Sequence, residues 1–174
     1  TQSTQRWQDD PLSWAAEVAW HQGIAVVAAA GNDGATTTGL ADPAYNPWVI
    51  AVGAVDTKGT LTTADDVVPG VSARSAAGAR GVDVVAPGVG IIAPGVSGSG
   101  LYTSYPGARI GNGLLRGSGT SQATAVVSGL VALLLEARPA GAAMKESWRR
   151  VRGASWRVAL LLVGWQVAGL ALST

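Results

Sequence analysis

The sequence predicts an α/β fold with a mainly parallel sheet, and two observations favour it. Residues 12–22 form a helical segment that passes through Gly23 directly into the apolar run 24–30. An uninterrupted apolar run is the pattern of a strand buried on both faces, and a helix leading into such a strand is half of a parallel α/β unit. Further apolar segments repeat the alternation of strand and helix, at residues 48–55, 82–86 and 121–137.

The first helix has a start and a stop signal of its own. Asp10 precedes Pro11, and an aspartate cap followed by proline in the first turn favours a helix start. Gly23 is typical of the left-handed residue that ends many helices. Trp14 and Val18 are four residues apart, so we expect them to share the apolar side of this helix.

The rest of the chain divides at its turn residues. Pro87 and Gly88 close the third strand, and glycine then recurs every few residues as far as Gly119, which predicts a long surface loop or a hairpin. Pro139 ends the second helix. We therefore expect one domain over residues 1–139, followed by a tail over residues 140–174.

Composition excludes several classes of function. Of the 174 residues 48% are hydrophobic and 13% are charged, which is enough apolar surface for a core. There is no cysteine, so disulfides, thiolate nucleophiles and cysteine-based zinc sites are excluded. Residues 1–137 hold 6 basic and 10 acidic residues, a balance that argues against a nucleic-acid-binding surface.

The tail differs in character from the domain. Its basic residues lead into the apolar run 158–172, which Gln166 interrupts. A membrane span usually needs about 20 apolar residues, so this run is short for one. Three interpretations stay open: a terminal helix packed on the domain, a membrane anchor, or an aberrant terminus. As an anchor it would hold the domain in the cytoplasm, because the arginines precede it.

Ser121 is the first candidate for chemistry. It lies in the run Gly-Ser-Gly-Thr-Ser-Gln-Ala, residues 117–123, which opens an apolar helix. Small neighbours let a substrate approach the hydroxyl, and a helix N-terminus favours developing negative charge. An ordinary helix-capping serine has the same local pattern.

Asn32 is the second candidate. It follows the buried strand 24–30, and residues after the carboxyl ends of parallel strands lie on the functional edge of such a sheet. Its amide could donate a hydrogen bond to an oxyanion. An asparagine in a left-handed turn would look the same.

The two runs together resemble the subtilase family of serine proteases. Residues 26–32 are similar to the strand that ends in the family's oxyanion-hole asparagine, and residues 119–123 match its nucleophile motif, Gly-Thr-Ser-x-Ala. Residues 45–56 resemble the strand after the substrate-pocket loop, and residues 82–88 the segment leading to the serine. The four landmarks stand in the family's order and the resemblance covers residues 15–139.

The resemblance implies a subtilisin-like three-layer α/β fold acting on polypeptide substrates. Ser121 would be the nucleophile and Asn32 the oxyanion-hole side chain, with the Ser121 backbone N–H as second donor. Three small residues would form one wall of the pocket for the residue before the scissile bond: Ala29, Ala30 and Gly31. The family needs no cofactor or metal for the chemistry. Many members bind structural calcium, which we assign to no residue here, and many are secreted.

Two substitutions depart from the family pattern in ways that its fold and chemistry tolerate. A third departure, the absence of two triad residues, bears on the activity. Ala125 stands where the family usually has proline, and Gln122 where methionine or phenylalanine is commoner. The triad histidine and aspartate lie upstream of the asparagine motif in the family, on segments this chain does not contain. The only histidine, His21, precedes the strand that leads to Asn32, where the family has no catalytic residue.

The chain starts at Thr1 without a leader, so we expect a fragment or a processed product with the N-terminal part of the fold missing. Three hypotheses follow. The first is a serine endopeptidase whose base and orienting aspartate lie outside these 174 residues. The second is a catalytically inert subtilase remnant. The third is a membrane-tethered interaction protein, which rests only on the apolar run 158–172.

Overall fold

A computed structural model describes residues 5–34, 39–75, 79–111 and 113–136. Residues 1–129 form one compact unit, and residues 130–174 form a second. The described part of the second unit is residues 130–136, the end of the helix Thr120–Glu136. The tail predicted over 140–174 lies outside the described residues, so its boundary stays a prediction.

Ten helices and strands follow one another in the described part of the chain. The helices are α1 (Pro11–His21), α2 (Gly100–Ser104) and α3 (Thr120–Glu136), and a 3-10 turn covers Pro106–Ala108. The strands are β1 (Val27–Ala29), β2 (Ile50–Val55), β3 (Val84–Pro87), β4 (Ile91–Pro94), β5 (Arg109–Ile110) and β6 (Leu114–Gly117). Each predicted helix and strand is found within three residues of its expected bounds.

The first three strands form a parallel sheet in the order β1-β2-β3. Val27 pairs with Ile50 at the start of β2, and Val55 pairs with Pro87 at the end of β3. All three strands run the same way, so their carboxyl ends meet at one edge of the sheet. The α/β fold with a parallel sheet is therefore confirmed.

The glycine-rich stretch after Gly88 contains both of the predicted alternatives, because β5 and β6 form a short hairpin and a long connection separates β4 from β5. Strands β4 and β6 pair antiparallel, with Ile91 opposite Gly117, and β5 adds to the other side of β6. The connection between β4 and β6 carries α2 and the 3-10 turn, which the sequence analysis did not predict. Helix α2 has only five residues, too few for its apolar periodicity to be recognised.

The signals at the ends of α1 were predicted correctly. The Asp10 carboxylate accepts hydrogen bonds from the backbone N–H groups of Leu12 and Ser13, at 2.9 and 3.0 Å. Gly23 has a φ of 79° and donates to the carbonyl of Trp20 at 2.9 Å. These bonds satisfy helix-end groups that would otherwise lack partners.

Helix α1 does not pack on the core through the side that carries Trp14 and Val18. Trp14 is 62% exposed and Val18 is 39% exposed, whereas Ser13 is fully buried and Ala16 packs against the core. The physical reason is close approach: the buried Asn46 donates from Nδ2 to the Ser13 carbonyl at 2.9 Å, so a small side chain faces the core. Apolar spacing alone does not reveal that contact.

The first strand is shorter and less buried than expected. Only Ala28 and Ala30 of the apolar run 24–30 are buried, and Ile24 is exposed. The reason is position, because β1 is an edge strand in the described sheet and β2 is central. From Ala51 to Val55 every residue of β2 is buried. The core joins these two strands to residues of the segment between them, Leu40, Ala44 and Val49, and to Ala73, which follows β2.

Within the described residues, no helix is both long and apolar enough to cross a bilayer. The apolar run 158–172 lies outside that part of the chain, so the anchor interpretation is untested.

Candidate active site

The predicted nucleophile and oxyanion residues meet at the carboxyl edge of the parallel sheet. Asn32 follows β1, and Thr120, the residue before Ser121, is the first residue of α3. The Asn32 side-chain oxygen Oδ1 accepts hydrogen bonds from the Thr120 backbone N–H at 2.8 Å and from the Thr120 hydroxyl at 3.2 Å. Two segments 88 residues apart are thereby joined next to Ser121.

Thr120 is a buried connector that the sequence analysis did not assign. Its side chain is fully buried, and its Oγ1 accepts from the Gly31 backbone N–H at 3.2 Å while it donates to Asn32. One hydroxyl therefore holds two consecutive residues of the loop after β1. The signal available in the sequence was a threonine between a glycine and the serine at a helix start.

The hydrogen bonds determine which way the Asn32 amide points. A backbone N–H can only donate, so the atom that faces Thr120 must be the carbonyl oxygen rather than the NH₂ group. The Nδ2 donor is consequently left on the other side of the amide. Asn32 is an exposed residue, and among the described residues no hydrogen bond of its Nδ2 is found.

Ser121 is exposed at the N-terminus of α3. The first N–H groups of a helix have no partner within the helix, and the helix dipole places partial positive charge there. In the described part of the chain neither the Ser121 hydroxyl nor its backbone N–H is engaged in a hydrogen bond. Both groups are thus free to face a substrate carbonyl.

Glycines allow the backbone to close around this turn. Gly119 donates to the Gly88 carbonyl at 2.7 Å, which ties the turn to the end of β3. A Cβ on Gly119 would lie 2.9 Å from Asn32 Oδ1, and Gly119 has a φ of 149°. A Cβ on Gly88 would lie 2.7 Å from the Ala54 Cβ. These separations leave no room for a side chain at either position.

The three predicted pocket-wall residues differ in exposure. Ala30 is fully buried and belongs to the core, whereas Ala29 and Gly31 are partly exposed. The Gly31 carbonyl accepts from the Ala73 N–H at 2.9 Å, and the Ala30 carbonyl accepts from the Ala41 N–H at 2.8 Å. These hydrogen bonds fix the backbone of the predicted wall, and Ala29 and Gly31 are its partly exposed residues.

His21 lies at the opposite edge of the sheet. Its ring centroid is 4.6 Å from that of Trp48, which precedes β2, and its Nε2 is 3.7 Å from the Glu17 carboxylate. Ser121 lies beyond the other end of β2 and β3. A strand of six residues spans about 20 Å. His21 is therefore not placed to take a proton from Ser121.

Among the residues that the structure describes, no three histidine, aspartate or glutamate side chains come together as metal ligands. Structural calcium therefore remains without assigned ligands.

Comparison with known proteins identifies relatives of this sequence. A family model described as "Subtilase family" matches residues 2–160, which extends past residue 139, where the motif resemblance ended. "Serine protease AprX" of Bacillus subtilis (strain 168) is 39% identical over 134 residues, covering 76% of this chain and 30% of the relative. "Thermophilic serine proteinase" of Bacillus sp. (strain AK1) is 39% identical over 123 residues, covering 71% and 24%.

Two solved structures of proteases are also similar to this chain. The prenylagaramide maturation protease PagA has a TM-score of 0.53 at 32% identity, over 78% of this chain and 40% of that protein. A mutant of the protease domain of PatA has a TM-score of 0.52 at 31% identity, over 78% and 39%. The chain thus spans less than half the length of each of these relatives.

Proposed function

The chain belongs to the subtilase family, and we propose that it is the nucleophile-bearing part of a serine endopeptidase. The observation that carries the proposal is the anchoring of Asn32 by Thr120, immediately beside Ser121. That contact brings the two family motifs together at one sheet edge. Ser121 serves as nucleophile and Asn32 as the oxyanion-hole side chain.

The proposed reaction is acyl transfer from a peptide to Ser121. The Ser121 hydroxyl oxygen attacks the carbonyl carbon of the scissile bond, and a base removes the hydroxyl proton. The tetrahedral intermediate then expels the amine, which takes up that proton, and leaves an acyl-enzyme. Water attacks the ester carbonyl by the same sequence and releases the carboxylate product with free Ser121.

Negative charge on the substrate oxygen would be stabilised by two donors. Asn32 Nδ2 is one, because its partner atom Oδ1 is already engaged by Thr120. The Ser121 backbone N–H at the start of α3 is the other. Donors held in place before the reaction need no rearrangement as charge develops, which is why such sites are effective.

The general base is not supplied by this sequence. Its only histidine, His21, is at the far edge of the sheet against Trp48. By family resemblance, the histidine and its orienting aspartate would come from a preceding segment of a longer polypeptide. On that basis, the 174 residues alone should show almost no peptidase activity.

The alternative is an inert remnant that keeps the fold without the reaction. Its support is that the one histidine of this sequence, His21, is not placed to act as the base. The two functions differ in one measurable property, which is whether the natural polypeptide carries more chain than this sequence.

The intact mass of the polypeptide purified from its source separates the two functions. A mass well above 17.5 kDa, with labelling by a fluorophosphonate probe that is abolished in Ser121→Ala, is the result expected of a complete protease. A mass that matches these residues, with no labelling, would leave the inert remnant.

The proposed substrates are polypeptides, and the acidic balance of residues 1–137 argues against nucleic acid as a partner. Family resemblance favours secretion, and fractionation of culture supernatant and membranes tests it. Recovery only from detergent-extracted membranes would favour the anchor over residues 158–172.

A further inference from the structure

An apolar pocket lies beside β3, away from the serine turn. Its volume is about 370 Å³, within the range of sites that bind small molecules or side chains. Neither Ser121 nor Asn32 lines it, and Arg74 is the only charged residue that does. Most of the lining consists of small or apolar residues together with this arginine: Val68, Ser72, Ala73, Arg74, Val82 and Val85.

A glycine of the central strand makes room for this pocket. A Cβ on Gly53 would lie 3.2 Å from Val85 Cγ1. It would also lie 3.4 Å from Ser72 Oγ and 3.4 Å from Val82 Cγ1. Three side chains of the lining therefore converge over a strand residue that has no side chain of its own.

The Ser72 hydroxyl is a buried polar group of the lining. Ser72 is 1% exposed, and its Oγ accepts a hydrogen bond from the Ala54 N–H at 3.1 Å. A hydroxyl can donate as well as accept, and among the described residues no acceptor for the Ser72 hydrogen is found. A buried donor without an acceptor costs free energy, so this hydroxyl favours a ligand that brings an acceptor oxygen.

Arg74 supplies the positive charge of the pocket. Its Nη2 donates to the Val68 carbonyl at 3.0 Å, which orients the guanidinium. Arg6, Lys58 and Arg80 each pair with an aspartate. In the described part of the chain no carboxylate pairs with Arg74. Because a guanidinium can donate to both oxygens of a carboxylate, the lining matches an apolar group joined to a carboxylate.

The free edge of β3 runs along the same pocket. In the described sheet β3 pairs with β2 alone, and the Asp83 N–H donates to that strand. The next N–H, of Val84, therefore points away from β2, and within the described residues it has no hydrogen bond. An extended peptide can add to such an edge as a further strand. A residue of that strand opposite Val85 would place its side chain on the pocket face, because paired residues share a face.

We propose that the pocket and the free edge of β3 bind the carboxyl-terminal end of an extended polypeptide whose last side chain is apolar, such as valine. That side chain packs on Val82 and Val85 over Gly53. The terminal carboxylate accepts hydrogen bonds from Arg74, and the Ser72 hydroxyl donates to an oxygen of the same residue. The peptide backbone pairs with β3. This binding involves neither Ser121 nor Asn32, so it does not rest on the proposed function.

The test is a binding titration followed by fluorescence anisotropy. The protein is the full natural polypeptide carrying Ser121→Ala, so that the probes are not cleaved. The probe is fluorescein-labelled Gly-Ser-Thr-Ser-Val with a free carboxylate, compared with the same peptide as its amide and with a peptide that ends in serine. We expect the valine acid to bind at least about tenfold more tightly than either, because each lacks one of the two contacts.

Two variants locate the carboxylate. Arg74→Gln should reduce the preference for the acid over the amide to within about twofold. Arg116→Gln is the matched control, because Arg116 is also exposed, loses the same charge and does not line the pocket. A preference for the acid that survives Arg74→Gln, or one that Arg116→Gln removes equally, overturns the proposal.

A second pair of variants locates the apolar side chain. Gly81 lines the pocket, and a Cβ there would meet only Ser75 Cβ, at 3.7 Å, so Gly81→Leu should fill the space and weaken binding at least about tenfold. Gly107→Leu is the control, since nothing lies within 4 Å of its added Cβ and it does not line the pocket. Unchanged affinity in a folded Gly81→Leu variant overturns the proposal. Should that variant fail to fold, the arginine pair still decides.

Hydrogen exchange tests the added strand. The Val84 amide should exchange with deuterium at least about tenfold more slowly when the valine peptide is saturating, because the amide gains a partner. An unchanged rate overturns strand addition. N-acetylvaline should compete at least about tenfold less well than the peptide, since it has no backbone to pair. Equal competition would assign the pocket to small carboxylic acids and overturn the proposal.

Discussion

The side chain of Asn32 is fixed by Thr120, which donates to Oδ1 from its backbone N–H at 2.8 Å and from its hydroxyl at 3.2 Å. The same hydroxyl accepts from the Gly31 N–H. The oxyanion donor and the helix that carries the serine are therefore parts of one hydrogen-bonded unit. Each component of that unit can be tested separately.

Asn32→Asp and Asn32→Ala separate the two roles of this amide. In the active polypeptide both should lower kcat by about 100- to 1000-fold, the range known for subtilisin, because both lack the Nδ2 donor. Only Asn32→Ala should lower the free energy of unfolding, by about 1–3 kcal/mol, because aspartate keeps an acceptor for the Thr120 N–H. Urea unfolding and kcat measure the two effects, and equal destabilisation in both variants would contradict the anchoring role.

Thr120→Val should destabilise the chain more than Thr120→Ser. Valine has the shape of threonine without the hydroxyl, so the Gly31 N–H loses its acceptor, at a cost of about 1–3 kcal/mol. Serine keeps the hydroxyl and loses one methyl group, which costs about 1 kcal/mol. Free energies of unfolding from urea titration test the difference. Valine as stable as the wild type would show that the hydroxyl contributes nothing.

Gly119→Ala is expected to disturb the site as well as the backbone. The added Cβ would lie 2.9 Å from Asn32 Oδ1, so Asn32 must move. Gly98→Ala is the matched control, because Gly98 has a φ of 83° and nothing lies within 4 Å of its added Cβ.

The control should lose about 1–2 kcal/mol of stability from the left-handed backbone alone. Gly119→Ala should lose more and should also shift the Asn32 side-chain amide resonance. Identical losses of stability, with that resonance unmoved in both variants, would refute the close-approach argument.

Arg80→Ala should destabilise the start of β2. The Arg80 guanidinium donates to the carbonyls of Ala44 and Val49, at 3.1 and 2.7 Å, and pairs with Asp83 at 2.7 Å. Asp83 in turn accepts from the Ala51 N–H. Loss of hydrogen bonds from a charged donor costs about 1.5–3 kcal/mol.

Lysine cannot reach all three acceptors from a single ammonium group, so Arg80→Lys should recover only part of the lost stability. Thermal unfolding of both variants is the measurement. Full recovery by lysine would mean that the charge alone is sufficient.

Asp42→Asn should stabilise the chain at neutral pH. Burial raises the pKa of Asp42 above 3.8, and the nearby Asp10 carboxylate raises it further. A raised pKa in the folded state means that ionisation opposes folding, so stability falls as pH rises from 3.8 through the folded-state pKa. Asparagine carries no charge to ionise. The gain in Tm should therefore be larger at pH 7 than at pH 3, and a gain independent of pH would be inconsistent with this assignment.

The sequence alone determined the features that depend on neighbouring residues. Asp10 and Gly23 bound α1 because capping and left-handed turns are local chemistry, and the apolar run that became β2 has the composition of a central strand. The resemblance added Asn32 and Ser121 as site residues, and the structure brings their segments together. Their chemical roles remain predictions.

Only the tertiary structure decided the features that join distant parts of the chain. Thr120 contacts residues of the loop after β1 across 88 positions, and no periodicity encodes that pairing. Trp14 is exposed because the hydrogen bond from Asn46 to the Ser13 carbonyl brings the Ser13 side of α1 against the core. Strand β1 is half-buried because it is an edge strand in the described sheet. Local signals specify elements, whereas burial and hydrogen-bond partners depend on which elements meet in space.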